Sequence, residues 1–278
     1  MIVFPNCKIN LGLNIIRKRS DEYHDIETVF YPLMLKDALE TIESTVNSPL
    51  SAVNFSISGV DINGKPEDNL CIKAYELLKK DFPQLPFLQL HLHKAIPTGA
   101  GLGGGSADGA FTLKLLNKKF SLGVSTEKLI DYALRLGSDC PFFIINKPSF
   151  ATGRGEFLEN IPLDLSTYKF VIINPGVHVN TGWAFEQITA SVPAKSIKNI
   201  IRQPVETWKQ ELKNDFEEPV FAKHPEIKKI KDDLYNSGAI YSSMSGSGST
   251  VYGIFKKDTA ISLNFPTTYF VKELTGKF

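Results

Sequence analysis

The chain has 278 residues, with 31 Lys or Arg, 30 Asp or Glu and a formal net charge of +1, so it lacks the basic excess of a nucleic-acid binder. Its 42% hydrophobic and 22% charged residues suit a globular core, and no apolar run reaches the length of a membrane span. Three cysteines (Cys7, Cys71, Cys140) without a Cys-x-x-Cys pair argue against a disulfide framework or a zinc site and fit a reducing, cytoplasmic setting.

Residues 7–16 alternate. Ile9, Leu11, Leu13 and Ile15 face one way, and Lys8, Asn10, Gly12 and Asn14 face the other. That is the period of a strand with one buried face. A lysine and two asparagines make an odd row for a merely solvated face. Further strands are expected at Thr28–Leu35, Leu39–Ser44, Val53–Ser58 and Leu88–Lys94. Between the last two, Asp68-Asn69 offers an N-cap for a helix running to Lys80, with Leu70, Ala74, Leu77 and Leu78 as its apolar stripe. His91 and His93 share a strand face without a third ligand type nearby, so they read as structural and no metal site is expected.

After Lys94 comes Pro97-Thr98-Gly99-Ala100-Gly101-Leu102-Gly103-Gly104-Gly105-Ser106-Ala107-Asp108, then a helical pattern over Ala107–Leu116. A strand, a glycine loop and a helix bring bare backbone N–H groups and a positive helix end to a phosphate. Ser125 caps a third helix that stops at Gly137. Gly137-Ser138-Asp139-Cys140-Pro141 then leads into an expected apolar strand, Phe142–Ile145. Lys147-Pro148 and Gly153-Arg154-Gly155 mark the expected boundary between domains 1–150 and 151–278. Beyond it a strand is expected at Lys169–Ile173 and a short helix at Thr181–Ile188. A further helix covers Pro225–Asn236, with Pro225 in its first turn and Gly238 past its end. Strands Ala239–Ser242 and Val251–Phe255 flank the small-residue loop Ser245–Ser249. Strands and helices mix without a strict βαβ rhythm, which makes the fold class α+β.

No Lys follows the glycines, so this is not a Walker A loop. Gly99, Gly101 and Gly104 match Gly-x-Gly-x-x-Gly literally. A dinucleotide site, however, also needs a second strand ending in an acid about 20 residues on, and Asn117–Ser125 is polar and turn-like. A simple tight turn needs one or two glycines, not five in seven positions.

The stretch Pro97–Asp108 resembles the second motif of the GHMP kinases. Pro5-x-x-Lys8-Ile9-Asn10-Leu11 resembles their first motif, and Met244-Ser245-Gly246-Ser247-Gly248-Ser249 their third. The order is right and the motifs span nearly the whole chain. The resemblance implies a two-domain fold: an N-terminal domain like domain 2 of ribosomal protein S5, a C-terminal α/β sandwich, and an active site in the cleft between them. It implies ATP as co-substrate, Mg²⁺ as counter-ion, and phosphoryl transfer to a small molecule. Arg17-Lys18-Arg19-Ser20-Asp21-Glu22-Tyr23-His24 is similar to the Gly-Arg-Arg-x-Asp-Gly-Tyr-His stretch of a family branch whose acceptor carries a cytidine diphosphate group, in the non-mevalonate route to isoprenoid precursors. Leu136–Phe143, Gly153-Arg154-Gly155-Glu156 and Asn214-Asp215-Phe216-Glu217 resemble further segments of that branch. Homoserine kinase, mevalonate kinase and a non-catalytic nucleotide-binding protein are the alternatives.

From local sequence, Asp139 is equally a turn residue just past a helix C-terminus, and Lys8 a surface lysine. The resemblance implies that Asp139 is the base, paired with Lys8 near the transferring phosphoryl group. It assigns nucleotide contacts to Pro97, Gly99, Ala100, Gly101, Leu102, Gly103, Gly104, Gly105 and Ser106, with Asn69 and Lys94 near the adenine and ribose. Asp108 is balanced between a nucleotide contact and a helix-dipole acid. Asn10, Tyr23, His24, Thr181 and Phe185 are expected at the acceptor, where an aromatic ring and an imidazole suit a cytosine. Three departures stand out. Glu22 replaces the glycine before Tyr-His, so the turn there is expected to differ. Cys7 replaces an alanine. Gly109 replaces an alanine in the loop helix and is expected to weaken it by up to about 1 kcal/mol. A monomer or homodimer is expected, with no nucleic-acid or membrane partner.

Overall fold

The computed structural model describes residues 1–43, 53–61 and 65–276. Ser44, at the end of one expected strand, lies outside the described residues. In chain order the strands and helices are β1 (Ile2–Val3), β2 (Asn6–Lys18), β3 (His24–Lys36), β4 (Ala38–Glu43), β5 (Val53–Gly59), α1 (Leu70–Asp81), β6 (Leu88–Lys94), α2 (Gly104–Lys119), α3 (Thr126–Leu136), α4 (Cys140–Ile145), β7 (Ser149–Gly153), β8 (Phe157–Asn160), β9 (Tyr168–Asn174), α5 (Thr181–Glu186), α6 (Ile197–Ile200), α7 (Trp208–Glu211), α8 (Glu217–Lys223), α9 (Pro225–Asn236), β10 (Tyr241–Met244), β11 (Val251–Lys256) and β12 (Phe270–Thr275).

Contacts divide the chain into two compact units. The first holds Met1–Cys7, Leu35–Thr98 and Gly103–Asn146; the second holds Lys8–Met34, Gly99–Leu102 and Lys147–Phe278. One break therefore falls after Asn146, but Lys8–Met34 and four residues of the glycine loop group with the later part of the chain.

In the first unit the sheet order is β1-β4-β6-β5, with β5 parallel to β6 and the other pairs antiparallel. Leu88, Leu90 and Leu92 of β6 are buried, while the exposed His91 and His93 bond to Ser56 and Ser58. α2 packs against α1, α3 and α4. Asn69 caps α1 by accepting from the Cys71 N–H at 2.9 Å, and Ser125 caps α3 by accepting from Lys128 at 3.3 Å; each such cap contributes about 1 kcal/mol. The segment expected as a strand at Phe142–Ile145 is instead the helix α4. A four-residue apolar run has no period that separates a buried strand from a buried helix. Here Pro141, at the first turn, presets helical φ.

The second unit holds two four-stranded sheets, β2-β3-β7-β8 and β10-β11-β9-β12. The turn-rich patch at 147–155 is not a linker: β7 pairs with β3 and β8 turns back on β7. The glycines serve a hairpin, the commoner use of such residues. α9 buries Ile227, Ile230 and Leu234 at helical spacing, in a cluster with Leu13, Ile15, Ile26, Val171, Ile173, Phe216, Val251 and Phe255. Each such side chain contributes roughly 1.5–3 kcal/mol on full burial.

Candidate active site

The glycine loop runs from β6 into α2. Gly99, Gly101 and Gly103 have φ of +62°, +77° and +70°, the left-handed region that favours glycine. α2 begins at Gly104, inside the glycines and ahead of the expected Ala107, and its N-cap Gly103 offers no side-chain bond to the first turn. The first backbone N–H groups of α2 are thus left for an external acceptor. A methyl on Gly101 would collide with the carbonyl oxygen of Ser245, so two glycine-rich segments meet there backbone to backbone. The Ser245 hydroxyl donates to the Gly101 carbonyl at 2.7 Å and accepts from the Asn10 N–H at 3.1 Å.

Lys8 lies beside this junction. It is 4% exposed, donates from Nζ to Asn10 Oδ1 at 2.6 Å and to the Gly101 carbonyl at 3.2 Å, and stands 5.0 Å from the centre of the Phe30 ring. The polar row of the first long strand is therefore buried, and a buried ammonium needs acceptors. Asn10 spends its Oδ1 on Lys8 and its Nδ2 on Thr28 Oγ1 at 3.0 Å. Asn10, expected at the acceptor, thus also orients Lys8.

Lys94 and Asp108 meet each other. Lys94 is 1% exposed and ion-paired with Asp37 and with Asp108 Oδ2, the latter at 2.9 Å. Asp37 Oδ1 also accepts from the Ala95 and Ile96 N–H groups, at 2.6 and 2.9 Å. Both side chains lie buried in the first unit, with Lys94 spent on the two carboxyl groups. Burial pushes the Asp108 carboxyl up to about 8, against the pull of Lys94 and with a push from Asp37. Ser106 follows in the first turn of α2, where its hydroxyl bonds Cys140.

Asp139, the expected base, follows the C-terminal end of α3 in the sequence. With α4 in place of a strand, it stands at the N-terminal end of a helix, without a capping bond from its side chain. There the peptide dipoles favour a carboxylate.

All five acceptor candidates, Asn10 among them, and one unanticipated partner, Arg154, lie in the second unit. His24 stacks on Phe185 with ring centres 4.7 Å apart and planes 14° apart. Tyr23, 54% exposed, lies under the Arg154 guanidinium at 4.9 Å. Phe185 therefore faces His24 rather than Tyr23. Burial, and secondarily Lys18, lowers the His24 pKa, so its ring is neutral at pH 7. Thr181 opens α5 and shares a 2.8 Å hydrogen bond with Ser247. Glu22, at φ +66°, keeps the left-handed backbone that a glycine adopts readily. The strain of that conformation lies in the backbone of Glu22.

The GHMP kinases N-terminal domain model matches residues 69–147, and the GHMP kinases C-terminal model matches residues 196–263. A curated relative from Bacteroides fragilis, a 4-diphosphocytidyl-2-C-methyl-D-erythritol kinase, is 53% identical over 94% of both chains. The enzyme of the same name from Bacteroides thetaiotaomicron is 54% identical over 93% of both.

The chain belongs to the GHMP kinases.

A crystal structure of a 4-(cytidine 5'-diphospho)-2C-methyl-D-erythritol kinase superposes with TM-score 0.78 at 29% identity, covering 91% of this chain and 90% of that one. The Methanococcus jannaschii mevalonate kinase shares the GHMP kinase fold, with TM-score 0.67 at 12% identity over 93% and 92% of the two chains. As in other GHMP kinases, ATP is the co-substrate. No helix among the described residues is long and apolar enough to cross a membrane. Sequence reading passed over Asp37, Arg154 and Ser245 as individual residues, and left Asn214-Asp215-Phe216-Glu217 without a role. Ser245 and Arg154 sit in segments that resemble the family's; Asp37 gains its meaning from Lys94, a partner distant in sequence.

Proposed function

We infer that this GHMP kinase transfers the γ-phosphoryl group of ATP to the 2-hydroxyl of 4-diphosphocytidyl-2-C-methyl-D-erythritol, giving the 2-phosphate and ADP in the non-mevalonate route to isoprenoid precursors. The observation that carries the reading is the near-full-length identity of 53% to curated enzymes of that name, in a chain that keeps Lys8, the glycine loop and Tyr23-His24.

In this reading the N–H groups of the glycine loop and of the first turn of α2, with the Ser106 hydroxyl, hold the triphosphate. Asp139 takes the proton of the 2-hydroxyl as that oxygen attacks the γ-phosphorus. The bond from the γ-phosphorus to the bridging oxygen breaks and ADP leaves with the electron pair. Lys8, fixed by Asn10 and the Gly101 carbonyl, supplies positive charge to the transferring group. Mg²⁺ neutralises phosphate charge when bound. Ser106, in the first turn of α2, is the residue that would offer that ion an oxygen.

At the acceptor, Tyr23 offers a stacking face, and the neutral His24, braced by Phe185, offers either a donor or an acceptor to the edge of a cytosine. We assign the protein to the cytoplasm, as a monomer or homodimer. The test is to supply ATP and Mg²⁺ with 4-diphosphocytidyl-2-C-methyl-D-erythritol, homoserine or mevalonate separately, and to measure ADP. Turnover with the first alone is expected. Turnover confined to either of the others overturns the assignment.

A further inference from the structure

The segment Asn214–Glu217 binds both halves of the site within the second unit. Asn214 is 3% exposed, and its amide is fully used: Nδ2 donates to the Met244 and Gly246 carbonyls, both at 2.8 Å, while Oδ1 accepts from the Phe216 N–H at 3.0 Å. Those two carbonyls flank Ser245, whose hydroxyl holds the Gly101 carbonyl, itself an acceptor for Lys8. The next residue, Asp215, accepts from the Ile15 N–H at 2.7 Å and from Asn14 Nδ2 at 3.2 Å. Glu217 Oε1 accepts from the Met244 N–H at 2.8 Å and the Ser243 hydroxyl at 2.9 Å. Phe216, 2% exposed, meets the Phe185 ring edge-on at 4.9 Å and 85°, and Phe185 stacks on His24.

We propose that Asn214 and Phe216 are positioning residues with separate tasks. Asn214 sets the nucleotide side through Ser245, Gly101 and Lys8. Phe216 sets the acceptor side through Phe185 and His24. Two positions of one short segment, with Asp215 between them, thus place both substrates, although neither side chain touches a reacting atom. The proposal rests on the kinase reading given above.

The division of labour makes it testable, because loss of general stability would impair both substrates alike. In Asn214→Asp, both donors to buried carbonyls become acceptors. The expected result is a rise in KM for ATP and a fall in kcat, each on the order of tenfold, with KM for the acceptor unchanged. In Phe216→Leu the acceptor KM rises several-fold, by roughly threefold to tenfold, and KM for ATP is unchanged. Asn214→Ser, which keeps one donor, is expected to fall between wild type and Asn214→Asp, and it replaces Asn214→Asp if that variant does not fold. Calorimetric binding of a non-hydrolysable ATP analogue and of cytidine diphosphate reads the same split without turnover. An inactive wild type would therefore sink the kinase reading while leaving the bracket still measurable. Equal losses on both sides in folded variants, or no change in either, overturn the proposal.

Discussion

A methyl group placed on Gly109 would lie 2.9 Å from Leu70 Cβ and 3.3 Å from Leu136 Cδ1. At Gly109, α2 thus packs against the first residue of α1 and the last of α3 with no room for a methyl. Helix propensity alone makes Gly109→Ala stabilising by about 1 kcal/mol. The packing reverses the sign, and the variant is expected to lose about 1–3 kcal/mol, as overpacked cores do. Urea unfolding of the two proteins decides between the signs.

Glu22 presents the opposite case. Its left-handed backbone costs a non-glycine residue about 1–2 kcal/mol, against about 0.5–1 kcal/mol of extra chain entropy that a glycine loses on folding. Glu22→Gly is therefore expected to raise stability by a few tenths to about 1 kcal/mol. A lower melting temperature for the variant would show that the Glu22 side chain contributes more than its strain costs.

The buried Asp108 gives stability a pH dependence of definite sign. Its folded pKa is raised to about 8 from an ordinary 3.8, first by burial. Between those values the folded protein keeps the proton and the unfolded chain has lost it, so this group's contribution declines as pH rises. Below the window both states are protonated, and above it both are ionised. Removing the group in Asp108→Asn is expected to flatten the decline between pH 4 and 8 relative to wild type, read as melting temperature against pH. Parallel curves over that range would count against a raised carboxyl.

For the chemistry, Asp139→Asn is expected to bind ATP nearly as wild type and to lose turnover by roughly 10²–10⁴. Lys8→Ala is expected to fall in the same range, and the double variant to lose little more than either alone, because the two act as a unit. Additive losses in steady-state turnover would separate them.

Most local structure was legible in the chain. The strand period over 7–16, the caps Asn69 and Ser125, and the Pro225 start of α9 all stand where sequence rules put them. Each is decided by residues within one turn or one pleat of each other. The segment Phe142–Ile145 was misread because an apolar run so short has no diagnostic period. The direction taken by Lys94 and Asp108 was also out of reach. A lysine before a glycine loop looks the same whether its ammonium meets a nucleotide or a buried carboxylate such as Asp37, far away in sequence.

By itself the sequence determined that the protein handles a phosphate, from five glycines between a strand and a helix, and which kinase family its ordered motifs resemble. The tertiary structure decided which partner each buried polar group meets: Asn10 takes Lys8, Lys94 takes Asp37 and Asp108, and Asn214 takes the carbonyls on either side of Ser245. The physical reason is that conformational preference is local, whereas the partner of a buried charge or amide is set by the packing of elements that may lie two hundred residues apart, as Asn10 and Ser245 do.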